Sequence, residues 1–168
     1  MKVVVNDANI LIDLVKLDLL NSFFGLKLAF YTTSLVLDEL HSEQARELNT
    51  FIEQGILVVE DLDGDEMMEI FILQSEKRQL SIQDCSAIVC AQKVDGDLIT
   101  SDKNLRNFAK AKNIAVRGHL WCLDEMVKQE TLSGSAAISK LEELQSFVNP
   151  RLNLPENACH EKIKEWTE

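Results

Sequence analysis

The chain has 168 residues, 46% of them apolar, and a formal net charge of −11. That length suits one compact domain with a proper core, and the apolar content excludes a disordered chain. The acidic balance excludes a protein that coats nucleic acid by charge alone, and no apolar run approaches the roughly 18 residues of a membrane span. The N-terminus has one lysine and then a short strand-like segment, which is no secretory signal. Cys85, Cys90, Cys122 and Cys159 show neither CxxC pairing nor metal-ligand spacing, so buried reduced thiols in a cytoplasmic protein are expected.

The first strand is expected at Val3–Val5, where three valines run into Asn6, Asp7 and Asn9. Leu11 to Leu20 then carries apolar residues at helical spacing. A second strand is expected over Leu28–Thr32, followed by the short helical stretch LVLDELH and a further helix, EQARELNTFIEQ, that Gly55 ends. A third strand is expected over Ile56–Glu60 and a helix over Met67–Gln79. The intervening DLDGDE resembles a calcium loop but has Glu66 where an EF-hand needs glycine, and reads as a solvated acidic turn. Ser81 and Asp84 form an S-x-x-D box that opens a helix over Ile82–Lys93, closed by Gly96. A fourth strand is expected at Asp97–Thr100, a helix at Lys103–Lys112 and a fifth strand at Ile114–Arg117. Alternation of strands and helices implies βαβ units and a mainly parallel sheet with helices on both faces. Beyond Arg117 the pattern is helical: LWCLDEMVKQ, ISKLEELQSFV and a short helix from Pro155, with turns at 133–135 and 149–155.

Side chains that follow the carboxyl ends of parallel strands gather on one edge, beside the point where strand order reverses. Asp7 follows the first strand and Asp102 the fourth, with Thr100 and Ser101 just before it. If these strands are neighbours, the two carboxylates meet. Asp84 lies in the first turn of its helix, whose face continues through Ala87, Ile88 and Ala91. Two alanines let that helix approach the sheet, while Gln83, Ser86 and Lys93 on the opposite face suit solvent. Glu39 lies four residues after Leu35 and shares an inward face of the short helix. Each acid alone also suits a plainer role: Asp7 and Asp102 as helix caps, Asp84 as the box partner of Ser81, Glu39 as an exposed acid. The charge is uneven as well. Glu53 to Glu69 holds seven acids and no base, whereas Lys103 to Arg117 holds five bases and no acid. That strip, with Lys103, Arg106 and Lys110, suits either a solvated helix face or the backbone of a specific nucleic-acid substrate.

The runs VVNDANILIDL, SLVLDEL, SIQDCSAIVCAQ and LITSDKNLRNF resemble the four acidic motifs of the PIN-domain ribonucleases, of which VapC-type toxins are the best-known members. The resemblance covers about residues 1–128, leaving 129–168 as a helical C-terminal extension packed on the same domain. It implies a three-layer α/β fold with a parallel sheet in the order 3-2-1-4-5. It also places the family's acidic positions on Asp7, Glu39, Asp84 and Asp102, with Asn9 and Thr100 in support. Where many members carry a further acid after the fourth motif, this chain has Asn104 and Asn107. A toxin resemblance implies an inhibitory antitoxin protein and a homodimer.

Four converging carboxylates repel: one like-charged pair at 4 Å costs about 4 kcal/mol at an effective dielectric of about 20. Hard oxygen donors favour Mg²⁺ or Mn²⁺ over zinc, and His41, His119 and His160 make no zinc motif. Asp7, Asp84 and Asp102 are the expected metal ligands, and Glu39 completes the shell or orients water. The expected activity is metal-dependent hydrolysis of RNA phosphodiester bonds. The alternatives are a PIN-like binding module without catalysis and a signalling receiver; the receiver lacks its paired acids after the first strand and its late lysine.

Overall fold

The computed structural model describes residues 1–168. Strand β1 (Lys2–Asn6) carries the valine run, and Val4 and Val5, which point to opposite sides of a strand, are both fully buried. Both faces of the sheet are therefore covered, as parallel sheets require. Four more strands, β2 (Leu28–Thr33), β3 (Leu57–Glu60), β4 (Asp97–Ile99) and β5 (Val116–Arg117), complete an all-parallel sheet in the order β3-β2-β1-β4-β5. The strand order thus reverses between β1 and β4, as expected.

The connecting helices are α1 (Ala8–Lys16), α2 (Leu20–Phe24), α3 (Ser34–Leu37), α4 (Ser42–Glu53), α5 (Gly64–Glu76), α6 (Ile82–Val94) and α7 (Lys103–Ala111). Helix α6 packs on β1, β2 and β4 and against α3 and α5. Three boundaries differ from the sequence reading, each for a local reason. The helix expected over Leu11–Leu20 is two helices, because Asp18 takes the left-handed conformation at φ 56° between them. The fifth strand begins two residues late, since the Ile114 N–H still bonds to the Ala109 carbonyl at the end of α7. The turn expected at 133–135 instead opens a helix, with the Ser133 hydroxyl accepting the Ala136 N–H at 3.1 Å.

After β5 come α8 (His119–Lys128), α9 (Gly134–Glu143), a π-helical turn (Leu144–Val148) and α10 (Glu156–Thr167). Ala137, Leu141, Leu144, Cys159 and Trp166 of this tail belong to the same buried apolar cluster as the sheet residues. Asp124 on α8 fastens α10. It accepts the Trp166 indole N–H at 3.1 Å and the Lys162 ammonium at 3.0 Å, and pairs with Lys128 at 2.8 Å. Burial alone would raise its pKa, but these donors together hold it below the ordinary carboxylate value. Asp124→Ala leaves a buried indole N–H unpaired and is expected to cost about 1–3 kcal/mol. Thermal unfolding checks this, at roughly 2–4 °C per kcal/mol for a chain of this size. All four cysteines are buried free thiols, and no helix is long and apolar enough to cross a membrane.

Candidate functional site

The register of β1 and β4 pairs Asn6 with Ile99, so the next residues, Asp7 and Thr100, emerge side by side at the carboxyl edge. The Asp7 N–H still bonds to the Ile99 carbonyl at 3.1 Å. Asp7 caps α1, its Oδ1 accepting the Ala8 N–H at 2.8 Å, while its Oδ2 accepts the Thr100 hydroxyl at 2.8 Å. The Thr100 oxygen in turn accepts the Asp102 N–H at 3.1 Å. One hydroxyl therefore joins the two acids that follow β1 and β4. Both Asp7 and Thr100 are buried, whereas Asp102 is exposed.

Asp84 and Asp102 are also capping residues. The Asp84 Oδ2 accepts the Ser81 N–H at 3.0 Å in a reciprocal box, and the Asp102 Oδ1 accepts the Leu105 N–H at 2.8 Å at the start of α7. Capping fixes one oxygen of each and leaves Asp84 Oδ1 and Asp102 Oδ2 without a protein donor. The plain role and a ligand role are thus compatible.

Electrostatics tie the acids together. Burial first, then the Asp84 charge and more weakly that of Glu39, push Asp7 up to about 7, although the bonds from Thr100 and Ala8 oppose the rise. Asp84 is raised by burial, with Asp102 adding to it, and Glu39 by burial and then Asp84. Asp84 is the common neighbour in all three effects. No Lys or Arg side chain forms an ion pair with any of the four acids.

Two expectations need correction. Glu39 is not on an inward helix face: α3 ends at Leu37, and Glu39 follows it on an exposed turn, its N–H bonded to the Val36 carbonyl at 3.1 Å. The helix is short because Thr33 fixes its start by accepting the Val36 N–H, and Asp38 already closes it. Ser86 does not face solvent but is fully buried. Its hydroxyl donates to the Gln83 carbonyl and receives that of Thr33, both at 2.7 Å, which locks α6 to the end of β2. This Thr33–Ser86 link joins residues 53 apart and leaves no local spacing pattern. A polar residue within the otherwise apolar run Cys85–Ala91 was the available signal.

Asn9 is exposed on α1 and lines a hollow shared with Asp102 and Lys103. Asn104, Lys103 and Lys110 are exposed on α7, whereas Arg106 is half-buried and donates to the Thr100 carbonyl at 2.8 Å. The basic strip is therefore partly structural.

No three His, Cys, Asp or Glu side chains stand close enough together to enclose a metal ion, so closure on one requires side-chain movement. The donor chemistry fits a hard divalent cation: oxygen ligands only, unpaired by any base, on a rim that raises the pKa values of Asp7 and Asp84. Thr100→Val removes the one side-chain donor to Asp7 and the acceptor for the Asp102 N–H. It is expected to push the Asp7 pKa further up, because the Thr100 hydroxyl bond lowers it, and the pH dependence of thermal unfolding checks this.

A family model, DUF3368, described as a PIN domain, matches residues 3–168. The match runs through the helical tail as well as the four acidic segments. No curated protein matches the chain.

Proposed function

The chain belongs to the PIN-domain family, whose members are typically nucleases using divalent metals, and from that premise we propose that it hydrolyses RNA with Mg²⁺ or Mn²⁺. One observation carries this reading. A buried aspartate, Asp7, is driven up to about 7 by burial and neighbouring acids, and no cation of the protein compensates the group. Such an arrangement is costly to folding and makes sense as a site for an external cation.

Asp7, Asp84 and Asp102 would hold that cation, which when bound lends Lewis-acid charge to the scissile phosphate. The protein residues do the rest. Thr100 orients Asp7, and the capping N–H groups of Ser81 and Leu105 fix one oxygen of Asp84 and Asp102. Glu39 has no hydrogen-bond partner on its carboxylate and takes the proton of the attacking water. Water adds to phosphorus, the bond to the leaving ribose oxygen breaks, that oxygen takes a proton from bulk water, and a phosphate monoester and an alcohol result. Lys103, the first residue of α7, faces the flanking backbone.

A second reading, a PIN-like binding module without turnover, is favoured by the separation of the acids. Incubation of single-stranded RNA and single-stranded DNA with the protein distinguishes the two. The nuclease reading expects RNA fragments with Mn²⁺ or Mg²⁺, none in EDTA and little cleavage of DNA. Intact RNA under every condition supports the binding module. If the chain is the toxin of a pair, its expression arrests growth and Asp7→Asn relieves the arrest.

A further inference from the structure

Beyond Asp102, the carboxyl ends of β4 and β5 face the tail loop 149–155 across two adjoining hollows of about 350 and 380 Å³. Each lies within the roughly 300–1,000 Å³ of small-ligand sites. Ser101, His119, Leu152 and Asn153 line both, so the hollows form one cleft. Asn9 and Asp102 stand at one end and Trp121 at the other.

The cleft's charge opposes that of the molecule. Lys103, Arg106, Arg117 and Arg151 line it against one carboxylate, Asp102, on a chain of net charge −11. Arg106 is held by the Thr100 carbonyl, and Arg117 Nε by Asp97 at 3.3 Å. Lys103 and Arg151 are exposed and have no ion-pair partner. Arg117 also lies over the half-buried Trp121 ring, its guanidinium carbon 5.6 Å from the ring centre. A cation-flanked aromatic face is what unpaired bases stack on, and free cations beside it suit phosphates.

A buried relay braces the two walls. The Asn149 amide donates to Asp13 Oδ2 at 3.0 Å, and His119 Nε2 reaches the same oxygen at 2.7 Å. His119 Nδ1 meets the Ser101 hydroxyl at 2.7 Å, and the Ser101 oxygen accepts the His119 backbone N–H at 3.1 Å. A carboxylate only accepts, so the Nε2 proton points to Asp13, and in the neutral imidazole Nδ1 accepts the Ser101 hydroxyl. Asp13 and His119 side chains are each 5% exposed, so solvent does not compete with the relay. The tail loop is thereby fixed opposite β4.

We propose that this cleft binds the single-stranded RNA that flanks the scissile phosphate, with phosphates on Lys103 and Arg151 and one base stacked on Trp121 beside Arg117. The proposal rests on the nuclease reading, because the cleft opens from Asp102 and a chain cut there must continue along it. It gives the tail a role in substrate binding and adds Trp121 and Arg151 to the residues of the Lys103–Arg117 strip.

Fluorescence anisotropy with a short labelled single-stranded RNA in EDTA tests binding without turnover. Trp121→Ala is expected to weaken binding about 5- to 150-fold, the range for loss of one stacked base, and Trp121→Phe to retain most of it. Arg151→Gln is expected to lower the slope of log affinity against log salt by about 0.7, the value for one phosphate contact to a single strand. Arg151 has no partner in the fold, so its variant remains informative if the tryptophan variants unfold. Affinity and salt slope unchanged in Trp121→Ala and Arg151→Gln overturn the cleft, as does an unmodified chain that binds no RNA with or without Mn²⁺. Failure of the nuclease reading appears elsewhere, as RNA left intact with both Mn²⁺ and Mg²⁺, which leaves these binding results standing on their own.

Discussion

Asp7→Asn is expected to make the cation-free protein more stable at pH 8 while lowering RNA cleavage at least about 100-fold, the equivalent of the several kcal/mol a cation supplies at phosphorus. The two effects share one origin. Asp7 is 3% exposed, and its ionised form is opposed by burial and by Asp84. Asparagine keeps the shape and the acceptor for the Ala8 N–H but carries no charge to bury. Its amide meets the Thr100 hydroxyl, which can turn to accept it. The gain in stability has an upper bound of about 4 kcal/mol, from a pKa raised from 3.8 to about 7 at 1.36 kcal/mol per unit. A residue needed only for structure gives the opposite result, a loss of stability. Thermal unfolding in EDTA and initial cleavage rates with Mn²⁺, on the same two proteins, separate these outcomes.

In EDTA the melting temperature should fall as pH rises from about 4 to about 7, and Mn²⁺ should reverse the fall. The sign follows from proton counts. The folded-state pKa of Asp7, about 7, lies above the ordinary 3.8. Between these values the folded chain keeps a proton that the unfolded chain has released. Stability is therefore fully present below the unfolded pKa and declines until the folded pKa is passed. Asp84 and Glu39 are raised too and act in the same direction. Asp124 is lowered, so its contribution is lost only as pH falls below the usual carboxylate range, outside this window. Ligand carboxylates must be ionised to bind, so Mn²⁺ should stabilise more at pH 8 than at pH 5. At a hundred times its dissociation constant the stabilisation is about 2.7 kcal/mol. The double variant Asp7→Asn/Asp102→Asn should show a smaller fall, from Asp84 and Glu39 alone, and little rescue. An unmodified chain whose stability is flat across this range would mean that Asp7 is not held out of its charged form.

The sheet was legible because each strand is a short apolar run that ends on polar residues, and because Asp7 and Asp102 follow two of those runs. Their proximity needed only the reversal of strand order, and the β1–β4 register pairs Asn6, one residue before Asp7, with Ile99, three residues before Asp102. The Ser81 box was legible for a similar reason: capping is local and leaves its mark within four residues. Long-range features were not. Spacing from Leu35 puts Glu39 on a helix face, but Thr33 and Asp38 confine that helix to one turn. Asp13 reads as an unremarkable acid in an apolar helix, and its partners His119 and Asn149 lie 106 and 136 residues away. The Arg117–Trp121 pair spans the join between β5 and α8, where strand and helix periodicities change over and neither pattern flags it.

The central claim is that Asp7, Asp84 and Asp102 form one cation site at the β1–β4 edge. Anomalous diffraction from a crystal soaked in Mn²⁺ tests it most directly. A peak among these three side chains, with Asp84 Oδ1 and Asp102 Oδ2 turned toward it, is the expected result. A peak elsewhere on the molecule, with the three carboxylates unmoved, would contradict the claim.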